Sequence, residues 1–500
     1  MTSIDWHGRA KQAQLNIRNF IDGGYQEIGG DERITKHFAG DGRFLYEFGR
    51  GTTKEVNRAV AVAHTAFKDG RWSKLPVYQR KAVLQKLAQL IEEHKEIFAL
   101  YECLDVGKPI TNALGDVATA AACLRGYAEN ADKLLSPAGA NANGANFAYQ
   151  LRKPIGVVGG IIGWNFPLVL AAQKVGPALA MGNSLVLKPS EFTSLSAGLL
   201  AELAMEAGVP SGVFNLVHGA GATVGTTLAQ HPDVGMLTFV GSSATGKQIM
   251  IAAGQSNMKR VQLECGGKSP FLVFDDCPED LDFIAHDIVA DTAFVNQGAL
   301  CVSSSRLLLQ ESIKDKLIPK IIEQAGKLQP KNPLDADTTF GAIMNQAHMH
   351  KVLGYIESGK QEGAELVYGG NQVNRESGGY YIEPTIFNQV NPNQKIAQEE
   401  IFGPVLSIFT FKDEEEGIQL ANDTSYGLAA YATTQNLGRV QRLAHGINAG
   451  SLTILGTSTL SAGGVGGISF EPQKESGIGA DFGMEGMKSY TVATTVNTWT

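Results

Sequence analysis

The spacing of apolar residues changes character about a quarter of the way along this chain. In "KEVNRAVAVAHTAF", Val56, Val60, Ala63 and Phe67 fall on one helical face, and "RKAVLQKLAQLIEEHKEIFALYE" keeps the same period. The first 130 residues are therefore expected to be mostly helical. From Leu151 short apolar runs take over: "PIGVVGGII", "NSLVLKP", "GVFNLVHG", "GMLTFVGS" and "KRVQLECGG" read as strands. Helical stretches such as "SLSAGLLAELAMEAG", "ATVGTTLAQH" and "TGKQIMIAAGQ" separate them. Strands alternating with helices predict βαβ units around a parallel sheet covered on both faces. A second alternating series starts at "PFLVFDD" and runs through "SSRLLLQ" and "IAQEEIFGPVLSIFTF" to "AGSLTILG".

Two segments fit neither series. "ADKLLSPAGANANGANFAY", 131–149, is rich in Gly, Asn and Ala, and "KSYTVATTVNTWT" alternates like an exposed strand. A late strand without a local partner is an edge that needs cover, which a second subunit could supply.

With 500 residues the chain exceeds a single core. Its 18% charged residues and formal net charge of -8, without a block of Lys and Arg, exclude nucleic acid and anionic membranes as the main partners. Cys103, Cys123, Cys265, Cys277 and Cys301 form neither a disulfide framework nor a zinc pattern. The first twenty residues hold no apolar signal region. A cytoplasmic enzyme without a metal is expected; His348 and His350 of "AHMHK" read as a solvated helix face, because no third ligand is apparent.

Three stretches hold a polar or reactive side chain among glycines. "GGIIGWNFPLVL" presents Asn165, "LECGGKSP" presents Glu264, and "FVNQGALC" presents Cys301. The first two follow strands, where open parallel sheets bind ligands. A thiolate can attack a carbonyl carbon, a side-chain amide can hold the resulting oxyanion, and a carboxylate can activate water against a thioester. Singly, each is better explained by packing, a cap or a turn; their joint occurrence carries the reading. "TFVGSSATGKQIM" places Gly241, Ser242 and Gly246 at a strand-to-helix junction, suited either to a pyrophosphate or to simple capping. "VLKPSE" closes a strand with Lys188 and Glu191, suited to a ribose diol or to a turn forced by Pro189.

Taken together, "WNFP", "LVLKPSE", "GVPSGVFNLVHG", "FVGSSATGK", "LECGGKSP", "NQGALC", "EEIFGPV" and "NDTSYGLAA" make the chain resemble the NAD(P)-dependent aldehyde dehydrogenases, of the non-acylating, hydrolytic type, from about Phe20 onward. The resemblance implies an α/β fold of two Rossmann-type domains plus a β oligomerisation arm. Residues 1–130 and 150–262 would bind NAD, 263–476 would be catalytic, and 131–149 with 477–500 would form the arm of a homodimer or homotetramer. It implies Cys301 as nucleophile, Glu264 as general base, and Asn165 with the Cys301 N–H as oxyanion hole. Cofactor contacts would come from Trp164, Lys188, Glu191, Gly241, Ser242, Glu400 and Phe402. Glu191 favours NAD, with NADP possible. Phe166, Leu170, Gln173, Val295, Leu300, Val302 and Leu455 are the candidate substrate tunnel. Their mostly apolar, uncharged character predicts aliphatic or aromatic aldehydes, the alternatives being a carboxylated or amino aldehyde, or a non-catalytic binding homologue.

The sequence departs from the family pattern at Gly163, Ala299 and Cys265. "SFEPQKESG", with Ser469, Glu471 and Pro472, and "LTILG" also differ, and the resemblance places these two segments near the substrate entrance.

Overall fold

A computed structural model describes residues 4–140, 144, 146–455 and 468–499. Eleven parallel strands, β1 to β11 in chain order, make up the bodies of two sheets. The first holds β1 (Val157–Ile161), β2 (Ser184–Lys188), β3 (Phe214–Leu216), β4 (Val234–Val240) and β5 (Arg260–Glu264) in the order β3-β2-β1-β4-β5. The second holds β6 (Pro270–Val273), β7 (Arg306–Gln310), β8 (Thr385–Asn388), β9 (Val405–Phe411), β10 (Ala429–Thr433) and β11 (Ser451–Leu455) in the order β8-β9-β7-β6-β10-β11. Every residue of β1, β2, β3, β6 and β10 is buried. That is why these strands read as continuous apolar runs and not as alternation.

The expectation of a mostly helical start is corrected in part. Helices fill Thr53–Asn130 almost continuously, but four strands precede them. Asn19–Ile21 and Gly24–Gln26 extend the first sheet antiparallel beyond β3, and Arg33–His37 pairs with Phe44–Gly49. These strands are three to six residues long, too short to establish a period. The helix Thr53–Asp69 starts at a Thr52/Glu55 capping box and ends on Gly70 at φ 85°.

The three-stranded sheet runs Thr491–Trp499, Asn146–Pro154, Ala138–Ala140, with nine paired positions between the first two. Its limits differ from those expected. The strand Asn146–Pro154 crosses position 150, and Gly477–Ile478 joins the first sheet beside β5 instead of the arm. Hydrophobicity does not mark either boundary, because the pairing is with strands hundreds of residues away.

In the first sheet the chain steps outward from β1 through β2 to β3, then returns to the other side of β1 as β4. The carboxyl ends of β1 and β4 therefore flank a topological switch point, the crevice where such sheets take ligands. Only Cys265 to Ser269 separate β5 from β6, so this link brings the ligand-binding end of one sheet against the other domain.

Candidate active site

The site assembles from four loops at these strand ends. After β1, the chain passes Trp164 and Asn165 before the helix Pro167–Ala180, whose fourteen residues are all buried. Asn165 is 6% exposed, and its Nδ2 donates to the carbonyl of Ala299 at 3.1 Å. The amide is thus held two residues before Cys301 in the other domain.

Cys301 follows a left-handed turn in which Asn296, Gln297 and Gly298 have φ of 51°, 56° and 74°. Left-handed conformation is costly for most L-residues, and such strain clusters at functional sites. Gly298 has no alternative, because a Cβ there would stand 2.2 Å from the Gly403 carbonyl. Opposite, a Cβ on Gly267 would stand 2.2 Å from the carbonyl of Cys301. The two glycines let the nucleophile loop lie directly on the loops carrying Glu264 and Glu400. Among the described residues the Cys301 N–H donates to no backbone carbonyl. Burial first, then the charges of Glu264 and Glu400, push the thiol up to about 12.

Glu264 closes β5, 5% exposed, and its Oε1 takes no hydrogen bond among the described residues. Burial and the neighbouring Asp481 raise its pKa well above the carboxylate range, while Lys174 opposes them. Lys174 and Asp481 form a fully buried ion pair. Neither was singled out in the sequence. The available signal was one lysine within "PLVLAAQKVGPALA", a charge that a buried helix cannot hold unpaired; its partner lies 307 positions away.

The other candidates form two groups. Lys188 Nζ donates to Pro189 O at 2.9 Å and to Glu191 Oε2 at 3.2 Å, and Gly221 N donates to Glu191 Oε1 at 3.3 Å. Burial opposes ionisation of Glu191, yet the Lys188 charge and the Gly221 amide outweigh it and lower its pKa. Ser242 caps the helix Ser243–Gln255, accepting from Thr245 N at 3.3 Å, while Gly241 N donates to the Glu264 carbonyl at 3.0 Å. On the far side Glu400 Oε1 accepts from Gly267 N at 2.9 Å. Trp164 and Phe402 meet edge to face, 5.2 Å between centroids.

His348 joins that pair, which corrects its reading as a solvated residue. Its ring lies 5.2 Å from Trp164, and Nε2 is 2.7 Å from the Phe402 carbonyl. Burial lowers its pKa to about 4, so near neutrality it is an uncharged ring. His350 is exposed. A cavity beside this cluster is lined by Trp164, Asn296, Gln297, Ala299, His348 and Phe402, among others.

The tunnel candidates are less unified. Phe166 and Leu170 pack with the first-domain core, and Val302 and Leu455 with one core of the second domain. Val295, Leu300 and Val302 are half-buried beside the nucleophile. Gln173 is 8% exposed with its Oε1 unpartnered among the described residues, and Lys108 stands 3.9 Å over the Phe166 ring. The unusual "EPQKESG" stretch braces the helix Ser243–Gln255 and the end of β5. Ser243 Oγ donates to the Glu475 carbonyl at 2.7 Å, Lys247 pairs with the Glu475 carboxylate at 2.9 Å, and Gly477 pairs with Glu264 in the sheet.

A doubly wound parallel sheet abutting a second α/β domain, with a loop-borne cysteine where they meet, makes this a two-domain α/β protein. The model of the aldehyde dehydrogenase family matches residues 28–496. The chain is 41% identical over 496 residues to the NADP/NAD-dependent aldehyde dehydrogenase PuuC of Escherichia coli K12, covering 98% of this chain and 97% of that one. It is also 41% identical over 471 residues to the aminoacetaldehyde dehydrogenase of Pseudomonas aeruginosa, covering 94% and 93%. The solved structure of P. syringae indole-3-acetaldehyde dehydrogenase in complex with NAD+ and IAA superposes with a TM-score of 0.96 at 44% identity, covering 99% of each chain. This chain belongs to the aldehyde dehydrogenase family, and its activity is that of an oxidoreductase acting on aldehydes. No helix among the described residues is long and apolar enough to cross a membrane.

Proposed function

We propose that the protein oxidises an aldehyde to its carboxylic acid with NAD+, through a thiohemiacetal and a thioester on Cys301. The observation that carries this is the convergence of three loops: the Asn165 amide bonds the carbonyl of Ala299, two residues before Cys301, and Gly267, three residues after Glu264, lies against the Cys301 carbonyl. Cys301 passes its proton to solvent through Glu264 as its sulfur attacks the aldehyde carbon. The negative oxygen that forms takes hydrogen bonds from the Asn165 amide and the Cys301 N–H. When bound, the nicotinamide supplies the hydride acceptor. Glu264 then removes a proton from water as it attacks the thioester, releasing the acid and the thiol.

The donor set suits a dinucleotide. The N-terminus of the thirteen-residue helix Ser243–Gln255 and Ser242 present donors to a pyrophosphate. Glu191 offers a carboxylate to a ribose diol, and Glu400 to the second ribose, with Trp164 and Phe402 beside it. An ionised Glu191 repels a 2′-phosphate and so favours NAD over NADP. The half-buried Val295, Leu300 and Val302 support aliphatic or aromatic aldehydes. The kinship with an aminoacetaldehyde dehydrogenase supports aminoaldehydes as the second reading. Exposed Phe147, Tyr149, Leu151 and Trp499 on the three-stranded sheet support assembly into a homodimer or homotetramer, and a cytoplasmic enzyme fits the composition.

Absorbance of NADH with a panel of hexanal, benzaldehyde, indole-3-acetaldehyde and aminoaldehydes tests the reading. Wild type should form NADH and Cys301→Ala should form none. Activity surviving in Cys301→Ala would remove the nucleophile, and a far higher kcat/KM for aminoaldehydes would decide for the second reading.

A further inference from the structure

The Asn165 amide has two N–H groups. One is committed to the Ala299 carbonyl, at 3.1 Å, which leaves the other to turn toward the reacting oxygen. Its aim therefore depends on where the Ala299 carbonyl is held. That carbonyl has a second donor: Asn296 Nδ2 reaches it at 3.2 Å, and the same nitrogen donates to the backbone carbonyl of Asn165 at 3.0 Å. Asn296 is 4% exposed, so water does not compete for these bonds. Its side chain thus ties both ends of the Asn165–Ala299 contact, across an interval of 131 residues and from one domain to the other.

We infer that Asn296 is a positioning residue for the oxyanion hole, fixing the Asn165 amide relative to the Cys301 backbone. This rests on the proposed thiohemiacetal chemistry. The residue type fits on two counts. Only an amide nitrogen supplies two hydrogens to two carbonyls from one short arm, because Asp would face those carbonyls with oxygen alone. Asn is also among the side chains that tolerate φ near +50°, the conformation that points it into the gap. The adjoining Gln297 and Gly298 continue the left-handed turn, so the arm projects from a backbone that cannot slide along a helix.

A double-mutant cycle separates this role from a merely structural one. Asn296→Gly keeps the left-handed backbone without strain, Asn296→Asp keeps the shape, and each is combined with Asn165→Ala. The readouts are the pre-steady-state burst of NADH with a saturating aldehyde and the rate of Cys301 alkylation by iodoacetamide across pH. Loss of a direct oxyanion donor costs about 100- to 1000-fold. Asn296→Gly and Asn296→Asp are expected to slow the burst roughly 10- to 100-fold, with alkylation changed less than about twofold. In the Asn165→Ala background neither should slow it further.

Multiplicative losses in the double mutant would overturn the assignment, as would alkylation falling in step with the burst. An Asn165→Ala enzyme with a full burst would remove the oxyanion role and this proposal together. A wild type that forms no NADH with any aldehyde would instead sink the functional reading on which both stand.

Discussion

At the scale of single residues, Glu264 shows how one environment sets both a cost and a role. Burial, then Asp481, raise its pKa, and Lys174 only partly offsets them. The folded chain therefore keeps a proton that the unfolded chain surrenders above the ordinary carboxyl value of 4.5, and the carboxyl costs stability as pH rises past that point. Glu264→Gln is neutral at every pH and escapes the cost. Its Tm at pH 8 is expected to equal or exceed that of wild type. Loss of a general base costs about 100- to 10,000-fold, so steady-state turnover should fall by that order while the first burst of NADH persists. Rapid-mixing absorbance separates the two steps, and a variant with wild-type turnover would dismiss Glu264 as the base. Its place after an alternating apolar run was readable in the sequence. Its raised pKa was not, because Asp481 and Lys174 lie far along the chain.

Among the elements, the helix Pro167–Ala180 carries the greatest internal conflict: fourteen buried positions, one of them Lys174 at 0% exposure. Asp481, also fully buried, makes this tolerable by pairing with it. Removing one partner leaves an uncompensated charge, at about 3–5 kcal/mol, whereas replacing both with apolar side chains is often neutral. Lys174→Met and Asp481→Leu should each lower the unfolding midpoint by that amount, and the pair together should recover most of it. Urea titrations of the four proteins measure the coupling; additive losses would mean the pair is held apart in solution. The apolar period of this segment was legible. The need for a carboxylate from "GADFG" was not, since that contact joins the C-terminal region to the first domain.

For the whole molecule, stability against pH integrates such buried groups, and Lys268 is the most exposed to test. Its side chain lies in the link from β5 to β6, 1% exposed, with Nζ unpartnered among the described residues. Burial, then the Arg306 charge, lower its pKa from 10.5 to about 7, against the smaller opposing pull of Glu400 and Glu399. Between those two values folding releases a proton, so wild type gains stability as pH rises from 7 toward 10. Lys268→Met lacks this dependence. Its advantage in unfolding free energy should be greatest at pH 7 and below, then shrink by up to about 1.4 kcal/mol per pH unit. Chemical denaturation at pH 6, 7, 8 and 9 follows the difference, and a constant gap would show that the amine stays charged in the fold.

The sequence by itself determined the two alternating α/β series, because buried parallel strands must be apolar throughout and their helices must carry a 3.6-residue period. It also determined which side chains could do chemistry, since Asn165, Glu264 and Cys301 each stand among glycines next to apolar runs. It could not supply the short antiparallel strands at the N-terminus, the pairing of Gly477 with Glu264, or the packing of His348 against Trp164 and Phe402. Nor could it reveal that Asn296 spans the two domains or that Lys174 meets Asp481. Those are contacts between residues remote in the chain. Local periodicity reports which face of an element seeks a partner, and only the packed structure decides which partner it finds.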